Sequence, residues 1–267
     1  MKVQNLFKRL WLDYVEQTPS AGRIHELFNH EGETIANDHI AFRTFNDPRV
    51  SIEVLAEPFI AEGYVEKGEY YFENKHLEAR HFELPGKPDQ PRVFISQLVL
   101  GDFSGYLMDT ITTLIDAVPP HKLDPDQLIF AGSLFGKPSY KVYEKLREES
   151  EYAAWLYVFG YRANHFTVSV NALEKFTGIE EVNDFLKKNG FMLNGSGGEI
   201  KGSEDQLLRQ SSTLADKIDM DFAEGKYTIP SCYYEFAQRY KDKNGKLFSG
   251  FIAGSADKIF ESTNYRK

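Results

Sequence analysis

The sequence predicts an α+β fold of two βαβββ modules with added helices, and three observations carry that expectation. The apolar period changes from helical to strand-like at residue 38, strand–helix–strand–strand–strand order follows, and the same order restarts near residue 163. Both passes open on Asp or Asn, then His, then a bulky apolar residue: Asp38-His39-Ile40 and Asn164-His165-Phe166. A Gly-aromatic pair follows 24 residues after His39 (Gly63-Tyr64) and 25 after His165 (Gly190-Phe191), as expected of a divergent internal repeat.

Residues 1–30 carry Leu6, Leu10, Tyr14, Ile24, Leu27 and Phe28 at three and four spacings, broken at "TPS", which predicts two lead-in helices. The first module, 31–102, reads as strand "HIAFRTF", helix "SIEVLAEPFIAEGY", and strands "EYYFE", "EARHFEL" and "RVFISQLVL". Residues 103–162 are a helical connection, "FSGYLMDTITTLIDAV" and "YKVYEKLREESEYAAWLYVFGY", joined through Pro- and Gly-containing chain. The second module, 163–254, reads as strand "NHFTVSV", helix "GIEEVNDFLKKNGF", and strands "EIKGS", "STLADKIDMDF" and "SCYYEFAQRY"; residues 255–267 form a C-terminal segment. The whole chain, 1–267, is expected to be a single globular domain.

Composition narrows the function. Thirty-one Lys plus Arg against forty Asp plus Glu give a net charge of −9 with no basic stripe, so neither nucleic acid nor an anionic membrane is an expected partner. The amino-terminal stretch alternates charge with bulk, unlike a secretory leader, so the expected compartment is the cytoplasm. A single cysteine, Cys232, excludes a multi-cysteine metal site, so any metal is held by nitrogen and oxygen.

Alternate residues of a strand share a face, so His39, Ala41 and Arg43 point one way, as do His165, Thr167 and Ser169. If the modules meet about a pseudo-twofold axis, the two imidazoles converge. Glu235, an acid among aromatics in "SCYYEFAQRY", supplies a third ligand on a face shared with Tyr233, Ala237 and Arg239. Two imidazoles and one carboxylate with open positions suit Fe(II) and oxygen chemistry. Arg43, roughly 13 Å along the strand from His39, would hold a substrate carboxylate a small molecule's length from the metal, with Ala41 leaving room. Arg239 repeats the ligand–Ala–Arg spacing, so a dicarboxylate is the expected substrate.

Plainer readings stand beside these. A histidine in an apolar strand is commonly a core residue bonded to backbone, and Arg43 with Glu235 would equally make a buried salt bridge. His25, His30, His76 and His121 sit in polar contexts, while His81 in "EARHFEL" competes as a ligand. Cys232 has the opposite parity to Glu235 and reads as a small buried hydrophobe. "LLRQSST" offers Arg209 to a ligand or forms a hairpin loop. Ser255 in "FIAGSADKIFEST" caps a short helix or meets an anion.

The motifs "DHIAFRTF", "ARHFELP", "RVFISQL", "NHFTVSV", "LLRQSSTLAD", "YYEFAQRY" and "ADKIFEST" together resemble the 2-oxoadipate dioxygenase/decarboxylase family over nearly the whole chain. That family is related to the vicinal-oxygen-chelate enzymes, so the resemblance implies one vicinal-oxygen-chelate-like sheet around a metal. It puts the iron ligands on His39, His165 and Glu235, a substrate-binding arginine on Arg43 and a site serine on Ser255. It implies that 2-oxoadipate and O2 are the small-molecule partners, that 2-hydroxyglutarate and CO2 are the products, and that Fe(II) is the cofactor. Two departures stand out: Gln97 where related sequences often read "FISEL", which would put an amide at a fourth metal-facing position, and a shorter chain. A glyoxalase-like isomerase, a ring-cleaving dioxygenase and a metal-free organic-acid binder remain the rivals, and the oligomeric state is not legible.

Overall fold

The computed structural model describes residues 3–252 and Gly254. Two helices come first, α1 (Val3–Gln17) and α2 (Pro19–His30), with Pro19 in the first turn of α2 where its missing N–H costs nothing. Leu6, Leu10 and Tyr14 lie four apart and are all buried, and the Tyr14 hydroxyl donates to the Tyr233 carbonyl at 2.5 Å, tying α1 to the chain just ahead of Glu235.

The first module runs β1 (Asn37–Phe45), α3 (Ile52–Ala61), β2 (Val65–Phe72), β3 (Leu77–Glu83) and β4 (Arg92–Leu98). The connection holds α4 (Gly105–Asp116), α5 (Pro125–Leu128), α6 (Tyr140–Glu149) and α7 (Glu151–Phe159). Extended backbone at Ser150 separates the last two helices, and the Ser150 hydroxyl accepts from the Ala153 N–H to start α7. The second module comprises β5 (Ala163–Ser169), α8 (Ile179–Lys188), β6 (Lys201–Ser203), β7 (Leu208–Ser212) and β10 (Glu235–Arg239), with a hairpin of β8 (Lys217–Phe222) and β9 (Gly225–Pro230) inserted before its last strand.

One eight-stranded sheet runs β2-β3-β4-β1-β5-β10-β7-β6. Each module contributes its strands in mirror order about the central antiparallel pair β1–β5, and in each the first strand is parallel to the last. The mixed α+β architecture of paired modules is therefore as expected from the repeat. Ile40, Phe42, Phe166 and Val168 are fully buried beneath the helices, with Phe42 packed on Phe59 of α3 and Phe166 on Tyr14 of α1. Each such side chain contributes roughly 1.5–3 kcal/mol. The opposite, concave face carries His39, Arg43, His165 and Glu235, so the strand alternation itself separates core from site.

Hydrogen bonding fixes how the modules superpose. Gln97 on β4 accepts the Ile52 N–H at the start of α3, and Gln238 on β10 accepts the Ile179 N–H at the start of α8, each at 3.1 Å. The glutamines are equivalent: "FISQL" aligns with "EFAQR". Gln97 thus corrects the expectation of an amide at the metal, since it points toward α3 and also donates to Glu78 at 2.8 Å.

The second module also departs from expectation in its middle. "STLADKIDMDF" is not one strand: Ser212 ends β7, the chain leaves the main sheet, and β8 pairs only with β9. Conversely "LRQSS", read as loop, is a sheet strand. Gln210, Ser211 and Ser212 are buried in it, with Gln210 donating to Glu235 and Ser211 to Asn183 of α8 at 2.7 Å.

Candidate metal centre

His39 and His165 arrive from adjacent antiparallel central strands, and Glu235 is the first residue of β10, paired in register with Thr167 of β5. One ligand atom from each of the three residues lies within 4.8 Å of the others. The His165 Nε2 is 3.2 Å from one Glu235 oxygen and the His39 Nε2 is 3.6 Å from the other. All three side chains are buried.

The residue before each histidine orients it. The His39 Nδ1–H donates to Asp38 Oδ1 at 2.8 Å, and the His165 Nδ1–H donates to the Asn164 side-chain Oδ1 at 3.0 Å. Both bonds leave an Nε2 lone pair facing the centre, the tautomer a metal requires. The Thr167 hydroxyl lies 3.1 Å from the His39 Nε2, and the Gln210 amide donates to Glu235 at 2.5 Å. The sequence carried a signal for the first two, an Asp or Asn repeated ahead of each His. Gln210 sat in a segment read as loop.

Electrostatics favour neutral imidazoles. Burial pushes His39 down against the pull of Asp38, and burial with the charges of His39 and Arg43 pushes His165 well down. Burial pushes the Glu235 carboxyl up to about 8 despite the Gln210 hydrogen bond. A carboxyl raised this far keeps its proton at neutral pH, and a divalent cation shared with the two imidazole lone pairs would take that proton's place. The donor set therefore fits a divalent ion, with nitrogen and oxygen ligands that suit iron, zinc or copper.

Arg43 lies on the same strand face as His39. It is buried, with its guanidinium carbon 5.0 Å from the ring centres of both Tyr152 and Trp155 of α7. These rings are fixed in turn: the Tyr152 hydroxyl donates to the Ser96 carbonyl at 2.7 Å, and the Trp155 indole N–H donates to the Ser231 carbonyl at 2.8 Å. Tyr233 stacks on His165 with centroids 4.9 Å apart, and Phe251 stands edge-on to His39 at 4.8 Å.

The other candidates fall elsewhere. Arg239 reaches the centre's flank, but its guanidinium is taken up as a bidentate partner of Asp38 at 2.6 and 2.9 Å and a donor to the carbonyls of Phe248 and Gly250. It is the counter-ion that, with His39, holds Asp38 well below the usual carboxylate range against the burial that would raise it. This corrects the expectation of a substrate contact for Arg239. Arg209 has the opposite parity to Gln210 and pairs with Glu180 of α8, on the helix-covered face away from the centre, which corrects that expectation too. His81 is buried between the Tyr70 hydroxyl at 2.9 Å and Glu83 at 3.0 Å, outside the ligand cluster. Cys232 is a buried free thiol, pushed up to about 12 by desolvation. Ser255 lies outside the described residues.

The paired βαβββ modules around one eight-stranded sheet make a vicinal-oxygen-chelate-like fold. A glyoxalase superfamily protein of Ralstonia eutropha JMP134, 19% identical, shares that fold with a TM-score of 0.73 over 92% of this chain and 84% of its own. The chain belongs to the 2-oxoadipate dioxygenase/decarboxylase family, which it matches over residues 5–118 and 133–246. It is 38% identical to the rice chloroplastic/amyloplastic 2-oxoadipate dioxygenase/decarboxylase over 94% of this chain and 76% of that protein. The structure of rice hydroxyglutarate synthase in complex with 2-oxoadipate, 35% identical, superposes with a TM-score of 0.88 over 98% of this chain and 92% of that one. A Shewanella frigidimarina NCIMB 400 protein solved as a candidate hydrolase is 51% identical, with a TM-score of 0.89 over 94% of this chain and 98% of its own. Among the described residues no helix is long and apolar enough to cross a membrane.

Proposed function

We propose that the protein is an Fe(II)-dependent dioxygenase/decarboxylase that converts 2-oxoadipate and O2 to 2-hydroxyglutarate and CO2. The observation that carries this reading is the convergence of His39, His165 and Glu235, with both Nε2 atoms turned inward by Asp38 and Asn164, in a chain of this family. Bound to the three ligands, the iron would supply a Lewis-acidic point for the keto and adjacent carboxylate oxygens of the acid and the electrons that activate oxygen.

The chain's own residues do the rest. Arg43, clamped between Tyr152 and Trp155, holds the substrate's far carboxylate by a charge-assisted pair, so the acid lies along β1 with its keto end at the ligands. Ala41, between His39 and Arg43, leaves the space that the carbon chain fills. Tyr233, Phe94 and Phe251 wall the site with aromatic surface and exclude water from the reacting end. Gln210 fixes the rotamer of Glu235, and the Asp38–Arg239 pair fixes that of His39.

The test is anaerobic loading with Fe(II) followed by oxygen-electrode assays over 2-oxo acids of graded length. Consumption of one O2 per CO2 and per 2-hydroxyglutarate, fastest with 2-oxoadipate, supports the proposal. Turnover without oxygen would instead mark an isomerase or a hydrolase on the same ligands.

A further inference from the structure

The internal repeat makes a comparison possible within the one chain. In the second module Thr167, two residues after His165, pairs with Glu235; in the first, Ala41, two residues after His39, pairs with Phe94. The helix-capping glutamines Gln97 and Gln238, each three residues further along its strand, confirm that register from an independent set of bonds. Phe94 therefore occupies, in the first half, the position from which the second half extends its carboxylate.

The surroundings have diverged along with it. In β7, Gln210 stands beside Ala237 and donates to Glu235; the first module's matching position, beside Ser96 on β3, is Ala79, which has no donor to offer. Phe94 is buried against Phe251 at 4.8 Å and Tyr70 at 5.7 Å, and Phe251 is in turn edge-on to His39. One half of the site is polar and braced to carry an acid; the other is aromatic.

We propose that Phe94 is a specificity-determining residue that holds the centre at three protein ligands, by filling the repeat's fourth ligand position with a ring that cannot coordinate. This rests on the metal-binding reading above and deepens it. A duplicated scaffold with an acid in both halves would offer two imidazoles and two carboxylates, leaving a divalent ion fewer open positions and a less positive charge. With Phe94 in place, the side of the centre backed by Phe94 and Phe251 presents apolar ring surface and no fourth protein ligand.

The experiment transplants the ligand. Glu235→Ala should lose metal retention; adding Phe94→Glu in that background should recover it, measured as bound Fe(II) or Zn(II) per chain after anaerobic desalting and by competition with a chromophoric chelator. Phe94→Glu alone should tighten Zn(II) binding by at least about tenfold and slow its release, while turnover falls. Phe94→Leu should leave metal affinity within about twofold. Phe94→Gln, which adds an uncharged oxygen donor, is the second route if the acid does not fold, with thermal melts monitoring every variant. No gain of affinity in folded Phe94→Glu or Phe94→Gln, and no recovery in the double variant, would overturn the proposal. If instead Glu235→Ala keeps its metal, the ligand assignment fails, and the Phe94 single variants still report whether that position faces the ion.

Discussion

Arg43 is the residue on which the substrate reading turns. Arg43→Lys keeps the charge but loses the planar fork, so kcat/KM for 2-oxoadipate should fall ten- to a thousandfold, about 1.4 to 4 kcal/mol, with metal content and melting temperature unchanged. Steady-state oxygen uptake beside thermal melts checks this, and unchanged kinetics would remove Arg43 from the site. Arg239 should behave oppositely. Its partners are Asp38 and backbone carbonyls, so Arg239→Leu leaves a buried carboxylate uncompensated and should cost about 3 to 5 kcal/mol of stability in denaturant titrations. The two arginines share a strand-face logic in the sequence. They differ because Asp38, adjacent to His39 in sequence, reaches across to β10, and no spacing rule reveals such a cross-strand pair. Cys232, with its thiol pushed up to about 12 by burial, should resist alkylation at pH 8 in the native protein and react only on unfolding.

At the scale of elements, the capping glutamines make a prediction that separates fold from site. Gln97→Glu keeps an acceptor for the Ile52 N–H but sets a second acid against Glu78, 2.8 Å from the present amide. Metal affinity should therefore be unchanged while the melting temperature drops; altered metal binding would return residue 97 to the centre. The inserted hairpin has its own anchor. Glu224, in its turn, accepts from the Ser139 hydroxyl at 2.6 Å and the Tyr140 N–H at 2.7 Å at the start of α6, and these bonds hold its carboxyl down to about 2 against an ordinary 4.5. A depressed carboxyl stabilises the fold above its unfolded value and loses that contribution as pH falls through the folded one. Glu224→Gln should thus melt earlier than the native protein near pH 7, with the gap closing as pH falls from 4.5 toward 2.

The elements also show what was legible. The first module could be read almost strand by strand, because β1 and β4 alternate apolar and functional residues cleanly. The second was harder at β7, where Gln210, Ser211 and Ser212 are buried in a strand whose polarity reads as loop. They are there to bond Glu235 and α8, a purpose visible only once β10 is beside them. The exit at Thr213 was hidden because alternation resumes in β8 without an obvious turn signal. The convergence of His39, His165 and Glu235 was legible from parity and repetition. Their orienting partners were half so: Asp38 and Asn164 lie next to the histidines in sequence, whereas Gln210 and Phe251 come from distant chain.

Across the whole molecule, duplication supplies the site and divergence tunes it. Two copies of one module meet at β1 and β5, bringing equivalent histidines to ring centroids 5.5 Å apart, while only one copy adds an acid. The result is a buried His-His-Glu cluster with Arg43 on the strand face of His39 and Phe251 edge-on to that histidine, the arrangement on which the proposed dicarboxylate substrate rests. The most direct test of the central claim is simultaneous measurement of oxygen, CO2 and 2-hydroxyglutarate in anaerobically Fe(II)-loaded native protein and His165→Ala. The account predicts one metal per native chain, equal amounts of O2 consumed and both products formed, and loss of metal and turnover together in the variant. Full metal occupancy in His165→Ala, or product formed by the native protein without oxygen, would contradict it.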